Sequence, residues 1–230
     1  MADLKDYLYF EDQWCQIYNA DCREILPLLE PVDLVLTDPP YGIGFCEYES
    51  YKDKEHDYRS FLWPIIEVSE SKLSNGWVCV FQTAKRCREW VSDFPREWRI
   101  LSFPKTFVQI FKVSGPTWAT DYALLWKVGN PPQKGKLRDW KVSDTANMKF
   151  DRGHPCARPL TQMLHCVEAL SETGNIIIDP FMGSGTTLVA AKNLNRKSIG
   201  IEIEAKYCEI AVSRLKQEVF DFRKHDMGTG

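Results

Sequence analysis

Residues 175–203 read NIIIDPFMGSGTTLVAAKNLNRKSIGIEI, and this stretch sets the fold. Asn175–Ile178 is an apolar run of the kind a strand buried on both faces needs. It ends in an acid, Asp179, followed by Pro180. Gly183-Ser184-Gly185-Thr186-Thr187 then forms a glycine turn, and small and apolar residues over Leu188–Leu194 predict a helix. Ser198–Ile203 reads as the next strand, and Ala205–Phe222 as an amphipathic helix. Strand, turn, helix and strand in succession define an α/β unit with parallel strands.

Working outward, Val32–Thr37 (VDLVLT) is a second buried strand. It ends in Asp38-Pro39-Pro40-Tyr41-Gly42, where two prolines stop the ladder. Trp14–Tyr18 and Asp21–Leu29 read as a strand and a helix before it. Trp77–Gln82 is predicted as a strand after an Asn75-Gly76 turn, with Ile100–Phe111 and Asp121–Val128 as later strands. Two stretches have no period: Gly44–Ser60, polar and aromatic, and 129–153, polar, basic and punctuated by proline and glycine. Loops that long inside a compact chain are usually functional or disordered. The expectation is one domain over 1–230, with helices on both faces of a mainly parallel, twisted sheet. The stretch 129–153 is expected to be a small target-recognition insertion.

Composition narrows the class. The chain has 230 residues, 44% hydrophobic and 27% charged, which excludes a long disordered or collagen-like protein. No apolar run is long enough for a membrane span, and the start lacks a secretory pattern. Eight cysteines lie in mostly apolar stretches with no CxxC pair, which suits reduced thiols in a cytoplasmic protein. His154, Cys156, His165 and Cys166 fit no standard zinc spacing, so no metal is expected. The net charge of -3 hides an asymmetry. Lys85–Arg158 carries fifteen basic and seven acidic residues, a net of +8. Within it Lys134, Lys136, Arg138 and Lys141 surround Trp140, a mixture suited to phosphate contacts and base stacking.

Two turns carry chemistry. In the first, the glycines let a ligand approach the backbone, and the following helix offers its first amides. Glu202, about twenty residues on at the end of the next strand, is placed to grip ribose hydroxyls. The turn has no lysine before Thr186, which excludes a Walker-type phosphate loop, and no GxGxxG. An adenosine-bearing cofactor without a phosphate chain fits better. In the second, Asp38 and the Pro39 carbonyl are both acceptors, fit to hold an amino group by its two hydrogens. Pro40 stiffens the turn, and Tyr41 offers a face for the ring that bears the amine. Two acceptors on a conjugated amine favour rehybridisation and expose its lone pair, which stabilises the transition state of a methyl transfer.

TDPPYG and DPFMGSGTT together resemble the S-adenosylmethionine-dependent amino-methyltransferases of DNA, which modify adenine N6 or cytosine N4. The catalytic motif precedes the cofactor turn, so the chain resembles the permuted beta class, over nearly its whole length. The resemblance implies a Rossmann-like methyltransferase fold and double-stranded DNA as partner, with the target base flipped into the Asp38–Tyr41 pocket. It also implies a possible homodimer. His154-Pro155-Cys156-Ala157-Arg158-Pro159 resembles the class's HPxxKP element, with Arg158 for the usual lysine. Carried over position by position, the cofactor residues are Asp21, Asp38, His154, Arg158, Pro159, Asp179, Phe181, Gly183, Ser184, Gly185, Thr186 and Glu202. The catalytic residues are Asp38, Pro39, Pro40 and Tyr41. Asp38 rather than serine favours adenine N6 over cytosine N4, with restriction–modification as the setting. Methylation of an RNA base, of a protein glutamine, or a silent DNA-binding module are the alternatives. Asp21 also reads as a helix N-cap, and Asp121 as a surface acid at a strand end.

Overall fold

The computed structural model describes residues 3–42, 58–94, 96–105, 120–132, 138–143 and 158–217. Among the described residues, eight strands form one sheet. They are β1 (Leu8–Glu11), β2 (Cys15–Asn19), β3 (Val32–Thr37), β4 (Leu73–Gln82), β5 (Arg99–Pro104), β6 (Thr120–Val128), β7 (Ile176–Asp179) and β8 (Lys197–Glu202). The order across the sheet is β1-β2-β8-β7-β3-β4-β6-β5. The run from β2 through β8, β7 and β3 to β4 is parallel. The outer pairs β1–β2, β4–β6 and β5–β6 are antiparallel.

Among the described residues, six α-helices accompany the strands: α1 (Cys22–Ile25), α2 (Tyr58–Ser71), α3 (Ala84–Asp93), α4 (Leu160–Leu170), α5 (Thr186–Asn193) and α6 (Ala205–Lys216). Alternate residues of each strand face opposite layers. Val35, Val78, Val80, Leu124 and Trp126 pack with α2 and α3 through Leu62, Ile65, Ile66 and Trp90. Leu34, Leu36, Cys79, Phe81, Ala123 and Leu125 pack on the other face with Met163, Cys166 and Val167 of α4 and Ala190 and Ala191 of α5. Helix α6 covers β2 from that second region with Cys208, Ala211 and Leu215. The architecture is Rossmann-like α/β with helices on both faces, as expected. Among the described residues, no helix is long and apolar enough to cross a membrane. Cys15, Cys22, Cys79, Cys166 and Cys208 are free and buried, and Cys87 is half-buried.

Several elements depart from the sequence reading. Asn75-Gly76 is no turn: it lies inside β4, where the β3–β4 register shifts between Val32 and Leu34. The extra residues form an irregularity of the bulge kind. A Cβ on Gly76 would sit 2.2 Å from the Asp33 carbonyl oxygen, so this close approach needs glycine. Tyr58–Ser60 belong to α2, not to a loop. Strand β1 and helix α3 are not among the elements read from the sequence. Helix α6 stops at Lys216, short of the expected Phe222, because Gln217 takes extended backbone. The rest of the Gly44–Ser60 loop, the far end of Ile100–Phe111 and residues 218–222 lie outside the described residues.

Candidate active site

The order of the sheet places the two turns side by side. Strands β7 and β3 are neighbours, and successive connections run to opposite sides of them. This is a topological switch point, where open α/β sheets bind ligands. Thr37, the last residue of β3, donates its hydroxyl to Asp179 Oδ1 at 2.7 Å. Thr187 of α5 donates to Asp179 Oδ2 at 2.6 Å, and the Phe181 amide to Oδ1 at 3.1 Å. Asp179 is 2% exposed. Burial pushes its carboxyl up to about 6, against the pull of these three donors. The acid at the head of the glycine motif therefore pins β3, β7 and α5 together.

Gly185 precedes α5 with φ +78°, and a Cβ there would meet Ala211 Cβ at 2.8 Å. Glycine thus satisfies both the backbone conformation and the packing of α6. The Gly183 amide donates to Glu202 Oε2 at 2.9 Å, and the Glu204 amide to Oε1 at 2.8 Å. Burial raises the Glu202 carboxyl to about 7. Ser184 and Thr186 face α6: Arg214 Nη1 donates to the Ser184 carbonyl at 2.8 Å and hydroxyl at 2.9 Å, and to Thr186 Oγ1 at 3.0 Å. Phe181 is half-buried, its ring centroid 6.1 Å from that of Phe61. Asp21 caps α1, accepting the Arg23 amide at 2.9 Å and pairing with the Arg23 side chain. Asn19 ties β2 to β8 by donating to the Glu202 and Ile203 carbonyls. A carboxylate with lone pairs to spare, bare glycine backbone and an aromatic face together suit a nucleoside with free ribose hydroxyls.

Asp38 and Tyr41 meet above the end of β3, the Tyr41 hydroxyl donating to Asp38 Oδ1. Arg158, just ahead of α4, grips the same carboxylate. Its Nε lies 2.7 Å from Oδ2, its Nη2 3.1 Å from Oδ1, and Nη2 also donates to the Tyr41 hydroxyl. Arg158 Nη1 reaches Asp121 Oδ2 of β6 at 3.0 Å. Asp121 also takes Lys105 Nζ at 2.9 Å and Gln162 Nε2 at 3.0 Å. The Arg158 guanidinium lies 4.9 Å from the Phe81 ring centroid, a cation–π position. Burial disfavours the Arg158 charge, yet Asp38, Tyr41 and Asp121 outweigh it and hold the group well above its ordinary value. For Asp121 too, burial is overcome by Arg158, Gln162 and Lys105, which keep its carboxyl below the usual range. Burial raises the Tyr41 phenol well above its usual value, so it stays protonated. Pro39 is buried and Pro40 half-buried. Pro159 caps the start of α4 and is buried.

Behind the turn, Arg86 of α3 donates from Nε to the Tyr41 carbonyl and from Nη2 to the Gly42 carbonyl, both at 2.9 Å. Its guanidinium lies 4.4 Å from the Tyr58 ring centroid. Trp90 Nε1 donates to the Tyr58 hydroxyl at 2.8 Å, and that hydroxyl donates to Gln82. Asp121, expected on the surface, is therefore part of the site, and Arg86 and Gln162 are part of it unannounced. None of them stands in a recognisable motif. Arg138, Trp140 and Lys141 are exposed, on a segment that runs parallel to the edge strand β5 through bridges at Ser102–Trp140 and Lys105–Ser143. His154, Lys134 and Lys136 lie outside the described residues. Among the described residues, no three His, Cys, Asp or Glu side chains group to hold a metal ion.

A Rossmann-like sheet with an acid-proline-proline-tyrosine turn beside a glycine turn defines the amino-methyltransferase class. Comparison with known proteins agrees. Residues 108–213 match the family profile described as DNA methylase, of the N6/N4 type. The type II methyltransferase M.ScaI of Streptomyces caespitosus is 43% identical, over 95% of this chain and 88% of its own length. M.HpaI of Haemophilus parainfluenzae is 26% identical, over 85% of this chain and 71% of its own. The chain belongs to this family of N6/N4 DNA amino-methyltransferases. Among solved structures, the M1.HpyAVI–SAM complex aligns with a TM-score of 0.67 and 24% identity, covering 88% of this chain and 100% of that one. The cytosine-N4-specific PvuII DNA methyltransferase aligns with a TM-score of 0.72 and 16% identity, covering 95% and 92%. These two likenesses establish the fold.

Proposed function

We propose that this protein transfers a methyl group from S-adenosylmethionine to the exocyclic N6 amine of adenine in double-stranded DNA, on a base extruded from the helix. The observation that carries the reading is the placement of Asp38 and Tyr41 directly beside the glycine turn, joined through the Thr37–Asp179 hydrogen bond. Glu202 would hold the ribose hydroxyls of the cofactor, with the Gly183–Gly185 backbone and the Phe181 face beside it. When bound there, the cofactor supplies an electrophilic methyl group on a sulfonium. The chain itself does the rest. Asp38 and the Pro39 carbonyl accept the two amine hydrogens, turning the nitrogen lone pair out of conjugation. Tyr41 stacks on the ring and fixes its plane. The proton surplus on nitrogen after transfer leaves along its hydrogen bond to Asp38. An aspartate rather than a serine at position 38 supports adenine over cytosine. Arg138, Trp140 and Lys141 would meet the phosphates and bases flanking the target, with Lys134 and Lys136 in the same basic stretch.

The test is incubation with labelled S-adenosylmethionine and duplex DNA, followed by digestion to nucleosides. N6-methyladenine is expected, and N4-methylcytosine overturns the choice of base. Label in RNA or protein alone overturns the reading. Asp38→Ala is expected to abolish transfer while leaving cofactor affinity within about threefold, since removing a group used only in the transition state lowers turnover rather than binding.

A further inference from the structure

We propose that Asp121 is a positioning residue for methyl transfer: it receives the Arg158 guanidinium that covers Asp38 in the resting enzyme and so frees the catalytic carboxylate. The inference rests on the amino-methyltransferase reading above. In the structure both oxygens of Asp38 are taken, Oδ2 by Arg158 Nε and Oδ1 by Arg158 Nη2 and Tyr41. Positive charge develops on the target nitrogen as it is methylated, and a guanidinium 3.1 Å from the acceptor oxygen opposes it. Arginine does not lose its proton in proteins, so the obstacle must move and cannot titrate away. A largely buried cation moves only to another anion.

Asp121 is the anion in reach, already holding Arg158 Nη1 at 3.0 Å while Nε and Nη2 hold Asp38. A swing of the planar fork from one carboxylate to the other keeps the charge paired throughout. Lys105 and Gln162 hold Asp121 in place. Gln162 Nε2 continues to Ser143 Oγ at 3.0 Å, and both residues are fully buried. Ser143 lies on the same segment as Arg138, Trp140 and Lys141, and its amide donates to the Pro104 carbonyl at 2.7 Å. The receiving carboxylate is thereby wired to the segment expected to meet DNA.

The test is single-turnover transfer at saturating cofactor, on a duplex that the wild type methylates. Asp121→Asn is expected to slow transfer more than about tenfold, with cofactor and DNA dissociation constants changed less than about threefold. Adding Arg158→Gln to Asp121→Asn is expected to recover at least about threefold of the lost rate, because the obstructing cation is gone. A merely structural pair would restore stability along with rate, so the rescue counts only where the urea midpoints of the single and double variants agree. Gln162→Met, which leaves every charge in place, is the parallel background should Asp121→Asn fold poorly, with the same rescue expected. The NMR signal of Arg158 Nε–H, assigned by its loss in Arg158→Gln, is expected to shift in the wild type on adding duplex and S-adenosylhomocysteine, and to stay in Asp121→Asn. Full-rate Asp121→Asn, no rescue in either background, or an unmoved signal in the wild type overturns the proposal. A wild type that methylates no DNA overturns the functional reading instead, a distinguishable result.

Discussion

The pH dependence of nucleoside binding follows from Glu202. Burial holds its carboxyl at about 7 in the free protein, against an ordinary 4.5. The acid's folded value is raised, so the protonated fold is the favoured one. That stabilisation is complete below about pH 4.5 and is lost as pH rises through about 7, a swing of roughly 3 kcal/mol. Ribose hydroxyls are donors to the carboxylate, so binding requires the ionised form. If the bound value falls well below 6, the apparent Kd weakens about tenfold between pH 8 and pH 6, worth about 1.4 kcal/mol. The ligand to use is 5′-methylthioadenosine, which has the adenine and ribose but no group titrating between about pH 5 and 9. Its Kd can be followed by calorimetry or tryptophan fluorescence. Glu202→Gln should bind weakly and with no slope from pH 8 to 6. Below about pH 6 a residual slope should persist in both proteins, because Asp179 titrates there. A wild-type Kd that is flat from pH 8 to 6, or a slope that survives in Glu202→Gln, refutes the assignment of Glu202 to the ribose.

Further outcomes are expected elsewhere. Thr187→Val strips the donor from Asp179 Oδ2 and should cost about 1–3 kcal/mol in urea unfolding at pH 8. The loss should shrink at pH 5, where Asp179 is protonated in the fold. Gly76→Ala drives a methyl to 2.2 Å from the Asp33 carbonyl and should cost about 1–3 kcal/mol by the same measurement. Arg138→Ala with Lys141→Ala should lower the slope of log affinity against log salt for duplex DNA by about 2, with cofactor affinity unmoved.

The strands that build the site were legible because they are buried on both faces. Val32–Thr37 and Asn175–Ile178 have no polar interior residue except Asp33, and each ends in a motif with its own chemistry. Glu202 followed from its distance beyond the glycine turn. Helix α3 was masked by charge: AKRCREWVSD sets Ala84, Cys87, Trp90 and Val91 at helical spacing among five charged residues, and it buries Trp90 together with Arg86. Arg86 and Asp121 look like surface charges in sequence, since charged residues usually are. Their burial depends on partners far along the chain, Tyr41 and Arg158, and no local pattern encodes such a pairing. The contact of Arg158 with Asp38 was hidden for the same reason. Its motif implies a place near the cofactor, and no local pattern says that its guanidinium also pairs with the Asp38 carboxylate. Asn75-Gly76 failed differently, because glycine serves a turn and a close backbone approach equally well.

The strand order has a consequence for how the protein is made. β3 and β4 leave the ribosome long before β7 and β8, yet the latter pair belongs between β2 and β3. At roughly 5–20 residues per second, the Asp38–Tyr41 turn waits on the order of ten seconds for the strand that completes its surroundings. Until then one side of β3, with Leu34, Val35 and Leu36 destined to be fully buried, is an open apolar edge. The nascent chain therefore carries its greatest exposure to misassembly in the middle of the sheet rather than at its rim. The paired turns at the ends of β3 and β7, joined by the last strands to insert, are complete only when the sheet is.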